Sequence, residues 1–180
     1  MIGRQKELSL LEKLYNSPKF EYLNLYGRRR VGKSTLLTEF SSLHRCIFMT
    51  GQEKNNPLNQ SDFTRAICEY FSCSFIPDFK EWKPIFEFLT DLIVKNPTDE
   101  KIVIIIDEFP YIAKEDASVK SALQTIIDRK WKNMSNVLLI LCGSSVSFMV
   151  NDVTEVLTID LAKNMDKYCL YPRFLLRRIL

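Results

Sequence analysis

Apolar residues fall along this chain in two alternating rhythms. Short apolar runs occupy residues 22–26, 46–50, 102–106 and 137–142, and stretches with a three-to-four-residue period lie between them. A run of five or six aliphatic residues bounded by charged or turn residues suits a strand buried on both faces and is too short for a helix. The helical period covers residues 5–15 (Leu8, Leu11, Leu14, Tyr15), 33–43, 62–71 (Phe63, Ile67, Tyr70, Phe71), 82–94 (Ile85, Phe86, Leu89, Leu92, Ile93) and 119–131. Residues 51–61 read as a polar loop with Asn55-Asn56-Pro57 as a turn signal, and residues 156–161 as a further strand candidate. Strands alternating with helices predict an α/β fold, a parallel sheet of about five strands flanked by helices.

Composition agrees with one globular domain. The 180 residues are 46% hydrophobic and 26% charged, and no apolar run approaches the length that spans a bilayer, so the expectation is a cytoplasmic protein without a membrane segment. Five cysteines without CxxC spacing argue against a disulfide or zinc framework, and the lone His44 reads as a helix-end residue. The net charge of +3 is unevenly spread: residues 1–45 hold nine Lys/Arg against four Asp/Glu, residues 46–162 eleven against seventeen, and residues 163–180 five against one. Basic ends fit a nucleic-acid footprint, but part of the first excess lies in one loop better explained by phosphate.

That loop is Gly27-Arg28-Arg29-Arg30-Val31-Gly32-Lys33-Ser34, a full match to GxxxxGK[ST] (the Walker A pattern), preceded by an apolar run and followed by a helical one. Glycines let successive amides turn inward around an anion, at the positive end of the next helix. In this pattern Lys33 supplies charge to the β- and γ-phosphates, Ser34 offers a hydroxyl to Mg²⁺, and Thr35 is placed for the α-phosphate. Arg28, Arg29 and Arg30 have three open readings: charge beside phosphate, nucleic-acid contact, or solvated loop. A second signal is the strand at 102–106 running into Asp107 and Glu108, 74 residues after Lys33. This is a Walker B pattern, in which Asp107 would complete the Mg²⁺ shell and Glu108 would activate water. A DxxG after this strand and an NKxD later would mark a GTPase, and neither occurs. The third signal is Gly143-Ser144-Ser145 at the end of the last aliphatic run. Ser144 first, or Ser145, fits a contact to the γ-phosphate or the attacking water, and a helix N-cap serving residues 146–150 fits as well. Arg129 and Lys130 are a candidate arginine finger for a neighbouring subunit or simply cations at a helix end. Of the five glycines, Gly27, Gly32 and Gly143 fall in the suspected site, and Gly51 reads as a plain turn residue.

Taken together, Ile2-Gly3-Arg4 before a Leu-rich helix, the P-loop, Ile106-Asp107-Glu108-Phe109-Pro110-Tyr111 and Cys142-Gly143-Ser144-Ser145-Val146-Ser147-Phe148-Met149 resemble the archaeal-type P-loop ATPases, relatives of the AAA+ and STAND groups. The resemblance covers roughly residues 1–150. It implies a P-loop NTPase core of the additional-strand type, with the Gly143 strand between those of Asp107 and Gly27. It also implies that Gly3 and Arg4 lie near adenine. Residues 1–162 would form the ATPase core, and residues 163–180 the start of a helical lid or a truncated tail, since members usually continue into a lid.

The function these motifs imply is Mg²⁺-dependent ATP hydrolysis coupled to a partner protein or to a second copy of the chain. Three alternatives stand beside it. One is a non-catalytic nucleotide switch or scaffold. Another is a small-molecule kinase using Arg173, Arg177 and Arg178 as a lid, which Glu108 disfavours because it suits water better than an acceptor. The last is a DNA-associated motor, for which no helix-turn-helix or stacking platform is evident.

Overall fold

The structure, a computed structural model, describes residues 4–153 and the pair 168–169. Helix α1 (Gln5–Tyr15) precedes strand β1 (Glu21–Tyr26), helix α2 (Lys33–Leu43) and strand β2 (Cys46–Thr50). Helices α3 (Asn56–Phe71) and α4 (Trp82–Lys95) lead to β3 (Ile102–Asp107), α5 (Phe109–Glu115), α6 (Ser118–Arg129) and β4 (Val137–Gly143). A short turn of helix, α7 (Val146–Phe148), runs into a π-helical turn at Met149–Val153, and β5 (Tyr168–Cys169) is a two-residue strand. All pairings are parallel, in the order β2-β3-β4-β1-β5. The strand ending at Gly143 therefore lies between those that end at Tyr26 and Asp107, the expected additional-strand order.

Alternation along the strands sorts the core into two layers. Val103, Ile105, Leu138, Ile140, Leu23 and Leu25 face α1 and α2, where Leu8, Leu11, Leu36, Leu37 and Phe40 cover them. Ile102, Ile104, Ile106, Leu139, Leu141 and Ile47 face the other way, against Phe63, Trp82, Phe86, Leu123 and Trp131. Both central strands are buried along their whole length, which is why they read as continuous aliphatic runs. One polar residue interrupts this layering: buried Asn24 of β1 donates to the Met149 carbonyl at 2.9 Å and ties down the segment after β4.

Several elements differ from the sequence expectation. Helix α3 begins at Asn56, inside the stretch expected to be loop, because Asn55 caps it by accepting from the Leu58 amide and Pro57 occupies its first turn. The turn signal was a helix start. Helix α5 was not expected, being seven residues long with Pro110 at its beginning. Helix α6 ends at Arg129, and Trp131–Asn133 forms a 3₁₀ turn. His44 is more than a helix-end residue: its Nε2 lies 2.8 Å from Glu12 Oε1 and its ring packs on Tyr15 and Phe40, joining α1 to α2. The strand candidate at 156–161, Gly3, and the proposed lid residues Arg173, Arg177 and Arg178 lie outside the described residues. Among the described residues no helix is long and apolar enough to cross a membrane.

Candidate functional site

Parallel strands deliver their carboxyl ends to one edge of the sheet, and here that edge gathers the loop after β1, Asp107, Glu108 and Ser144. The loop curls through two left-handed residues, Arg30 (φ 65) and Gly32 (φ 84), and Gly32 is the residue from which α2 starts. Glycine adopts that conformation without steric cost. Lys33 opens the helix and is buried, its Nζ donating to the carbonyls of Gly27 at 2.9 Å and Arg28 at 3.1 Å. Ser34 and Thr35 follow on the exposed side of the first turn. Arg4, on the approach to α1, donates to the Val31 carbonyl and pairs with Glu7 at 3.0 Å, so its guanidinium braces the outside of the loop beside Gly32.

Asp107 brings the far strand to this loop. Its Oδ2 accepts from Ser34 Oγ at 2.7 Å and its Oδ1 from the Glu108 amide at 2.9 Å, so both oxygens of a buried carboxylate have donors. Glu108 takes a left-handed conformation (φ 50), a strained state for a side-chain-bearing residue. The bend starts α5 and aims the carboxylate along β4. There Glu108 Oε2 accepts from Ser144 Oγ at 3.0 Å and from the Ser144 amide at 3.3 Å. Of the two readings open for this pair, the structure shows no helix cap, and it sets the Ser144 hydroxyl on Glu108. Ser145 stands at the start of α7 without capping it through its side chain, and Ser144 spends its hydroxyl on Glu108.

Glycines fix this geometry in two places. A Cβ at Gly143 would sit 2.6 Å from Pro110, so its absence lets α5 pack onto the end of β4. A Cβ at Gly51 would sit 2.8 Å from the Glu108 carbonyl, while the Gly51 amide donates to the Asp107 carbonyl at 2.7 Å. Gly51 is therefore not a plain turn residue but the close neighbour that holds the strained Asp107–Glu108 step. A glycine ending the strand that pairs with β3 is the one signal in the sequence that bears on it.

A cavity of about 410 Å³ opens at this edge, lined by Arg29, Arg30, Gly32, Lys33, Ser34, Thr35, Glu108 and Tyr111. Arg29 reaches across it to Tyr111, its Nη2 donating to the phenol oxygen at 2.6 Å. Sequence reasoning gave Tyr111 no role, although it follows Glu108 by one turn of helix. Arg28 is exposed and contributes its carbonyl to Lys33. Arg129 ends α6 and Lys130 follows it, ahead of the 3₁₀ turn that leads into β4, at the opposite edge of the sheet from the phosphate loop. The donors at the cavity fit a nucleotide with its metal. A hydroxyl and a carboxylate in contact are hard oxygen ligands of the kind Mg²⁺ takes, and a buried amine held only by carbonyls can exchange them for phosphate oxygens.

Comparison with known proteins gives the same direction. A family model described as an ATPase domain predominantly from Archaea matches residues 1–166. An uncharacterized protein of Methanocaldococcus jannaschii is 33% identical over 151 residues, which is 82% of this chain and 30% of that protein. An uncharacterized ATP-binding protein of the same organism is 46% identical over 39 residues, 22% of this chain and 66% of that protein. Among solved structures, the Walker-type ATPase Paby2304 of Pyrococcus abyssi superposes with a TM-score of 0.65 at 21% identity, over 96% of this chain and 54% of that one. The chain thus spans about a third of the first relative and about half of the Pyrococcus protein.

Proposed function

Since the chain belongs to the family of ATPase domains found predominantly in Archaea, we propose that residues 1–162 form a core that binds ATP with Mg²⁺ and hydrolyses it. The observation that carries this reading is the Ser34–Asp107 contact of 2.7 Å across 73 residues of sequence, beside a buried lysine and a strained glutamate. Ser34 and Asp107 would hold Mg²⁺, which screens the charge of the phosphates when bound. Lys33 would turn its amine from the Gly27 and Arg28 carbonyls to the β- and γ-phosphates, with the loop amides and the α2 N-terminus behind it. Thr35, exposed in the same turn, would serve the α-phosphate. Arg4 braces the loop from outside through the Val31 carbonyl, and Gly3 with Arg4 would border adenine, as the family resemblance implies.

Glu108 is the general base of this proposal. Its carboxylate stands at the rim of the cavity, and Ser144 fixes one of its oxygens, leaving the other to accept a proton from water. Coupling of turnover to a protein partner or to a second copy of the chain extends the same proposal.

Equilibrium binding of a fluorescent ATP analogue tests the nucleotide half. Lys33→Ala should lose binding by two orders of magnitude or more while the fold persists by circular dichroism. Wild-type affinity in a folded Lys33→Ala would refute the phosphate-loop assignment.

A further inference from the structure

The three loop arginines are not equivalent. Arg29 alone among them donates to a side chain across the cavity, its Nη2 lying 2.6 Å from the Tyr111 oxygen. Both residues line the cavity that Gly32, Lys33 and Ser34 also line. Tyr111 sits one turn into α5, and its amide donates to the Glu108 carbonyl at 3.0 Å. A single side-chain hydrogen bond therefore ties the phosphate loop to the element that begins at Glu108.

That bond is built to be exchanged. A phenol is a neutral acceptor, whereas a phosphate oxygen is anionic, and charge-assisted hydrogen bonds are roughly twice as strong as neutral ones. The guanidinium is permanently charged, and its planar fork matches two phosphate oxygens. Lys33 is buried at the floor of the cavity and Arg29 is exposed at its rim. The lysine at the floor is thus placed between the β- and γ-phosphates, with the loop amides behind it, and the arginine at the rim for oxygens of the terminal phosphate alone.

We propose that Arg29 and Tyr111 form a latch that reads the terminal phosphate of a nucleoside triphosphate. Tyr111 holds the guanidinium while that phosphate is absent. In the triphosphate state the guanidinium leaves the phenol for the phosphate, and α5 is released from the loop at Tyr111 while Asp107 keeps Glu108 beside Ser34. The inference rests on the nucleotide reading above, and it makes Tyr111 a positioning residue that acts through Arg29.

Binding of ADP and of a non-hydrolysable ATP analogue, each with Mg²⁺, to the full chain and to Arg29→Ala, Tyr111→Phe and the double variant tests it. Arg29→Ala should weaken the triphosphate analogue about tenfold or more and ADP less than about twofold. Tyr111→Phe, which keeps the ring and removes the competing acceptor, should tighten the analogue a few-fold and leave ADP unchanged. In the double variant the gain from Tyr111→Phe should vanish. Equal losses for both nucleotides in Arg29→Ala, or a Tyr111→Phe variant that binds the analogue no better than wild type, would overturn the latch alone. A wild-type chain that binds neither nucleotide would overturn the latch together with the reading beneath it.

Discussion

Replacing Ser144 by alanine isolates the contact that orients the proposed base. The substitution removes the hydroxyl that donates to Glu108 Oε2 at 3.0 Å and keeps the Ser144 amide, which reaches the same oxygen at 3.3 Å. A hydrogen bond to a charged group contributes about 1.5–3 kcal/mol. With one of two donors retained and both side chains only half-buried, a loss of about 1–2 kcal/mol is reasonable. If the contact matters chiefly when Glu108 takes a proton from water, that loss falls on the chemical step and slows kcat about 5- to 30-fold. The KM for ATP should stay within about twofold, because the hydroxyl is engaged with the carboxylate and not with the loop. Steady-state phosphate release over a range of ATP concentrations measures both. Ser144→Thr, which restores a hydroxyl, should recover most of the rate, an outcome that a merely structural role would not produce. Unchanged kcat with a tenfold weaker KM would refute the reasoning and return Ser144 to a direct nucleotide contact.

The close packing around Glu108 gives another test: Gly51→Ala pushes a Cβ to within 2.8 Å of the Glu108 carbonyl and of Ile112. Overpacking of this kind costs about 1–3 kcal/mol, so urea melts should show that loss and kcat should fall more than nucleotide affinity. Alkaline pH acts on two thiols, those of half-buried Cys46 and buried Cys68. Burial pushes the Cys46 and Cys68 thiols up to about 12 from an ordinary value of 9.0, with Cys73 adding to the effect at Cys68. As pH rises from 9 towards 12, the unfolded chain therefore loses protons that the native chain keeps, and stability declines through that window. Denaturant melts at two pH values should show this decline, and Cys46→Val should reduce its slope.

How far the sequence carried the fold depends on how local each cause is. Helix α2 and strand β2 begin and end at the residues the pattern indicated, because glycine, helix period and aliphatic run are all local signals. The parallel sheet followed from strands alternating with helices, and the strand order from the family resemblance, which put the Gly143 strand between those of Asp107 and Gly27. What the sequence hid was set by tertiary contact. The start of α3 looked like a loop because Asn-Asn-Pro serves a turn and a capped helix equally well, and the Asn55 cap together with packing against β2 and α4 chose between them. Ser144 pointing at Glu108, Gly51 backing the same residue, and Tyr111 meeting Arg29 all depend on the left-handed bend at Glu108. No propensity indicates such a bend for glutamate, since its cost is met by the surrounding structure. The residues gathered at the carboxyl edge of the sheet could be picked out by type and spacing, and the contacts they make with one another could not.

The central claim is that Glu108 turns a bound nucleotide over. Single-turnover hydrolysis tests it directly: wild type and Glu108→Gln are loaded with limiting radiolabelled ATP and Mg²⁺, and free phosphate is followed with time. Wild type should release phosphate. Glu108→Gln should retain ATP with near-wild-type affinity and release phosphate at least about 100-fold more slowly, in line with the loss of a general base. Equal release by the two proteins would contradict the account, as would a wild type that holds ATP indefinitely and so behaves as a nucleotide switch.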